Sequence, residues 1–65
     1  MTLRDELTKL LADTALESVQ EARTLASAAD LVQDPELRVA LLQLRTQAMN
    51  RAIVMRAAVR KIEVV

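Results

Sequence analysis

The chain has 65 residues, 52% of them apolar, and it contains no Cys, His, Gly, Phe, Trp or Tyr. Without Cys and His it has neither the disulfides nor the zinc ligands that stabilise many small domains. Nine basic and nine acidic side chains give a net charge of zero, which together with the missing aromatic residues disfavours nucleic acid as a partner. We therefore predict a single domain over residues 1–65 that gains stability by association.

The first half of the chain has the apolar spacing of an α-helix. Thr2 is placed to cap the first turn, and Asp5, three residues later, is the reciprocal partner of a capping box. Apolar residues then recur about every 3.6 positions, as on one helical face. They are Leu3, Leu7, Leu11, Ala15, Val19, Ala22, Ala26, Ala29 and Val32. We predict a first helix over about 3–32 that ends between Asp30 and Gln33.

The one clear break in this pattern lies at residues 33–36. Asp34 suits the N-cap of a second helix and Pro35 its first position. A second stripe of similar spacing follows, formed by Leu37, Leu41, Leu44, Ala48, Ala52, Met55, Val59 and Ile62. The composition and the short connection predict an all-α fold, an antiparallel two-helix hairpin with helices at about 3–32 and 35–62.

Charge is divided between the two halves. Residues 1–34 carry three basic and seven acidic side chains, a net charge of −4, and residues 35–65 carry six basic and two acidic, a net charge of +4. In a hairpin centred on this turn, the numbers of facing residues add up to about 67. Opposite charges match in this way in the pairs Arg4–Glu63, Asp5–Lys61, Glu6–Arg60, Asp13–Arg56, Glu17–Arg51, Glu21–Arg45 and Asp30–Arg38. We expect such pairs to set orientation and register more than stability.

We expect the two stripes to pack against each other in one seam between the helices, but large apolar residues also lie off these stripes. Left exposed, they would form a larger apolar patch than soluble monomers usually carry. We predict that they pack against a second copy, giving a homodimeric four-helix bundle with coiled-coil packing, or against a helical partner protein. The predicted interaction residues are Leu10, Leu16, Leu25, Leu31, Leu42, Met49, Ile53 and Val54.

The residues needed for catalysis are missing. There is no His, Cys or Tyr and no Gly-rich phosphate loop, so we predict no catalytic residue, no metal site and no cofactor. The acidic row Asp13, Glu17 and Glu21 lacks the facing Glu-x-x-His of ferritin-like bundles, and we interpret it as a solvated or salt-bridged face. For the arginines of the second half, we favour neutralisation of the first helix over phosphate binding.

The N-terminus does not have the pattern of an export signal. Asp5 and Glu6 occupy the region where a signal peptide is basic and then apolar. No apolar run approaches the roughly 18 residues of a membrane span. The sequence therefore predicts a cytoplasmic protein that does not contact membranes.

The turn and the second half resemble a known family of small hairpins. Residues 31–36, the Leu-rich run 41–44, the Ala-rich segment 48–58 and the start Met1-Thr2-Leu3 are similar to co-chaperones of the needle subunit in type III secretion systems. That resemblance implies a hairpin that pairs with a second helical chaperone and keeps a needle subunit from polymerising in the cytoplasm. The absence of aromatic residues after Pro35 departs from the family's pattern.

Two further hypotheses stay open. The needle and inner-rod subunits of the same machines share a Pro-containing turn and a C-terminal helix like that ending at residues 60–64, so the chain is alternatively a structural subunit of a helical assembly. A third hypothesis is a dimeric RNA-binding regulator that uses the Arg-rich second helix.

Overall fold

The protein is a hairpin of two antiparallel α-helices. The computed structural model describes residues 2–64, except for the side chain of Val64. Helix α1 spans Leu3–Leu31 and helix α2 spans Pro35–Val64, and together they form a rod of 49 × 16 × 11 Å. The predicted all-α hairpin is confirmed. Helix α1 ends within the predicted interval, whereas α2 continues past residue 62 to Val64.

The start of α1 is fixed by the predicted capping box. The side-chain hydroxyl of Thr2 accepts a hydrogen bond from the backbone N–H of Asp5 at 3.1 Å, and the Asp5 carboxylate accepts one from the N–H of Thr2 at 3.5 Å. Both bonds satisfy backbone donors that have no partner within the helix.

The connection needs no residue in the left-handed region of backbone space. Helix α1 ends at Leu31, and the next residue, Val32, has an extended backbone with φ −91° and ψ 131°. The Asp34 carboxylate then accepts from the backbone N–H of Glu36 at 3.0 Å and caps α2. Finally, the Arg38 guanidinium donates to the Val32 carbonyl at 2.7 Å, which places a cation at the negative C-terminal end of α1.

The seam between the helices is lined by small residues. Its buried residues are Ala15, Ser18, Ala22, Ala29, Ala48 and Ala52. On α1 successive buried residues are three, four and seven positions apart, and on α2 they are four positions apart. Alternating steps of three and four form the heptad pattern of helices that coil around each other. Small side chains let two helices approach closely, but each buries little apolar surface.

The predicted stripes are wrong at four leucines. Leu3, Leu7, Leu37 and Leu44 were expected in the seam, yet all four are exposed, Leu3 by 80%. On α1 the predicted stripe advances by four residues at each step from Leu3 to Ala15, and each such step passes a full turn of 3.6 residues by about 40°, so the line leaves the seam. On α2, Leu37 and Leu44 share a heptad line that lies beside the buried line of Ala48 and not on it. The seam of α1 runs through Ser18, a polar residue that apolar spacing alone does not select.

Candidate interaction surfaces

The hairpin has two long flanks, one on each side of the seam. The ion-pair flank carries Glu21 and Arg51, whose carboxylate and guanidinium are 2.9 Å apart and about half exposed. Leu37 and Leu44 precede Arg51 by multiples of seven residues and so lie near the same line of α2. On α1, Leu7 precedes Glu21 by two heptads and so lies near the same line as Glu21. Exposed leucines therefore lie on both sides of this ion pair along the rod.

The groove flank lies on the other side of the seam. Val19 follows the buried Ser18, and Glu21 precedes the buried Ala22, positions that fall on opposite sides of a heptad seam. The larger groove on this flank has a volume of about 520 Å³ and is lined by Val19, Ala22, Arg23, Ala26, Arg45, Thr46, Met49 and Asn50. A smaller groove of about 230 Å³, nearer the open end, is lined by Ala12, Arg56, Val59 and Arg60.

The eight predicted interaction residues do not share one surface. Leu25 continues the buried line between Ala22 and Ala29, so it belongs to the seam, where it is half-buried. The helical positions of the other seven divide them between the flanks. Leu16, Leu42, Met49 and Ile53 lie on the groove flank, whereas Leu10, Leu31 and Val54 lie on the ion-pair flank. Six of these seven are exposed, and Leu42 is half-buried.

Sequence reasoning missed four exposed leucines that the structure adds to this surface. Leu3, Leu7, Leu37 and Leu44 were assigned to the seam, but all lie on the ion-pair flank. A heptad register centred on the small residues Ala15, Ser18 and Ala22 would have placed them correctly, because Ala and Ser are the side chains that fit between closely packed helices.

None of the seven predicted charge pairs forms an ion pair within residues 2–64, although Arg4 does contact its predicted partner Glu63. Among residues 2–64, the ion pair that forms is Glu21–Arg51, whereas Glu21 was expected to face Arg45. The rule that the numbers of facing residues add up to about 67 predicts a residue's position along the rod but not its position around the helix axis. Arg45 is level with Glu21 along the rod, but it lies on the other side of the seam, in the larger groove. At the open end Arg4 donates to the backbone carbonyl of Glu63 at 3.0 Å rather than to its carboxylate.

The acidic row of α1 is a solvent-facing surface. Asp13, Glu17 and Glu21 are all exposed, and Glu21 is satisfied by Arg51. Within residues 2–64, acidic side chains form no cluster of three or more that would hold a metal ion. In the same part of the chain, neither helix has an apolar stretch sufficient to cross a membrane.

Comparison with known proteins gives no relative for this chain. No protein family, no curated protein and no solved structure matches it. The resemblance to secretion co-chaperones therefore stays a prediction from the residues quoted above.

Proposed function

We propose that this chain is a non-enzymatic protein-interaction module, a helical hairpin that completes its core by packing on a second copy or on a helical partner protein. One observation carries the proposal. The residues that the hairpin buries are Ala and Ser, while eleven large apolar side chains in residues 2–64 stay between 39% and 85% exposed. Such an arrangement places most of the apolar side-chain surface outside the seam, where another helix can cover it.

The total surface area supports the same proposal. The chain exposes 5077 Å², whereas a compact folded monomer of 7.2 kDa exposes about 4,100 Å² by the usual scaling with mass. The excess is about 1,000 Å², which is of the same size as the roughly 800 Å² that each partner buries in an interface of standard size. Docking a second hairpin or a partner protein on one flank would therefore bury an area similar to this excess.

A second copy of the chain and a helix from another protein can each cover the exposed apolar side chains. A second hairpin laid against one flank produces a four-helix bundle, in which the exposed Leu, Ile, Val and Met side chains of the two copies pack against each other instead of facing water. A partner helix from another protein does so in a heterologous complex. A secretion co-chaperone, as the resemblance implies, belongs to this second case, since such a hairpin pairs with a second helical chaperone.

Molar mass in solution, measured by light scattering over roughly a hundredfold range of concentration, tests this proposal. We expect either a mass of two or more copies, or a monomer of low helicity that gains mass and helicity when an amphipathic helical peptide is added. A fully helical monomer at low micromolar concentration that binds no such peptide would show that the seam is sufficient, and the proposal would then fail.

A further inference from the structure

The groove flank differs from the rest of the hairpin in its charge. The two grooves described above contain charged side chains, and all of these are arginines: Arg23, Arg45, Arg56 and Arg60. Among the described residues, no carboxylate lines either groove. Although the whole chain is neutral, the two grooves therefore present a cationic surface over an apolar floor, and carboxylates on the same side of the seam, such as those of Asp30 and Glu63, lie outside the groove linings.

These four arginines are also without ionic partners within the part of the chain that the structure describes. The ion pair among residues 2–64 uses Arg51, and the guanidinium groups that donate to backbone carbonyls belong to Arg4 and Arg38. Guanidinium groups form their strongest hydrogen bonds with carboxylates and phosphates. The four groove arginines are thus free to bind an anionic partner.

The apolar floor favours a partner with carboxylates over a partner with phosphates. Val19, Ala26 and Met49 line the larger groove, and Leu16 and Ile53 lie between the two grooves, where Ile53 is 60% exposed. A phosphate backbone would leave these side chains in water. An amphipathic helix covers them with its own apolar stripe and offers carboxylates at its edges.

A second copy of this chain is a poor occupant of the same flank. In a symmetric dimer each copy uses the same patch, so the groove flank of one copy would lie on the groove flank of the other. Arginine-lined grooves would then face each other without a carboxylate in either lining, and like charges across an interface are unfavourable.

We propose that the groove flank binds an acidic amphipathic helix from another protein. The spacing of the grooves specifies that helix. Arg45 lines one groove and Arg56 the other, a separation of eleven residues, or about 16 Å along α2 at 1.5 Å per residue. The partner therefore carries carboxylates about eleven residues, or three turns, apart, with an apolar stripe between them. This inference rests on the proposed function and deepens it by naming the chemistry of the partner.

The test uses the full chain and a synthetic peptide of about 18 residues. The peptide has leucines at helical spacing and glutamates three turns apart, and a second peptide of the same sequence has lysine in place of each glutamate. Fluorescence anisotropy measures the affinity of each peptide and of a labelled RNA oligonucleotide. We expect the acidic peptide to bind, its affinity to fall with added salt, and the basic peptide and the RNA to bind at least about tenfold more weakly.

Variants of the chain then assign the binding to the groove flank. Arg45→Gln combined with Arg56→Gln removes one guanidinium from each groove, and we expect about a fivefold loss of affinity for the acidic peptide, the size expected of two exposed ion pairs. Arg51→Gln is the matched control, since it changes the same residue type on the same helix but on the other flank. Ile53→Gln should weaken binding of the peptide, because it removes an apolar contact that a phosphate ligand would not use.

Three results would overturn the inference: equal binding of the acidic and basic peptides, equal losses from the groove variant and from Arg51→Gln, or preferential binding of the RNA. Circular dichroism of each variant confirms that helicity is retained, as expected because Gln is a good helix former. The proposed function is tested separately. It survives any of these three results if light scattering still shows that the chain associates.

Discussion

At the scale of single residues, the hairpin depends on how little space its seam residues occupy. Ala48 is fully buried, and Ala15, Ala29 and Ala52 are 1% exposed. A methyl group is the largest side chain that these positions hold, so the two backbones approach closely and larger residues are displaced to the flanks. Substitutions that enlarge the seam should therefore separate the helices, whereas the same substitutions elsewhere should not.

Ala48→Leu tests this. We expect the variant to lose about 1 to 3 kcal/mol of unfolding free energy, because the added carbons have no cavity to enter. Urea unfolding followed by circular dichroism measures the loss. Ala57→Leu is the matched control: Ala57 is exposed on the same helix, and its substitution should change stability by no more than about 0.5 kcal/mol. Equal effects at the two positions would argue against a close-packed seam.

At the scale of the elements, the sequence predicted most of the architecture. Both helices, the antiparallel arrangement, the capping box at Thr2 and the break at Pro35 followed from local signals, which act through backbone hydrogen bonds and side chains a few residues away. These signals need no knowledge of the partner helix. The helical bounds were consequently correct to within two residues.

The rotation of each helix about its own axis was harder to predict. Apolar spacing gave a 3.6-residue stripe that included Leu7 and Leu44, but the close approach of two helices selects the smallest residues at heptad spacing, Ser18 among them. The predicted ion pairs failed for the same reason, since position along the rod does not fix position around it. For the candidate site, the sequence identified which residue types need cover but not their division between two flanks.

The cap of α2 provides a prediction at this scale. Asp34→Ala removes the hydrogen bond from the carboxylate to the N–H of Glu36, and we expect a cost of about 1 kcal/mol in unfolding free energy. Thermal unfolding by circular dichroism measures it. The neighbouring exposed residue Gln33, changed to Ala, should have little effect, and a comparable loss from Gln33→Ala would contradict the assignment of Asp34 as the cap.

At the scale of the whole molecule, the hairpin is long and thin. Its radius of gyration is 15.0 Å, against about 10.7 Å for a compact chain of 65 residues. A rod only two helices wide has no interior beyond its seam, and every apolar residue outside the seam is at the surface. Stability and function are coupled in such a molecule, since the same contact that completes the core is the contact with the partner.

The central claim is that the seam alone does not complete the core. It is tested most directly by the midpoint of thermal unfolding, followed by circular dichroism over roughly a hundredfold range of protein concentration, with light scattering on the same samples. We predict either a midpoint that rises with concentration as the hairpin associates, or low helicity throughout until a helical partner is added. A fully helical monomer whose midpoint stays constant over the whole range would contradict the claim.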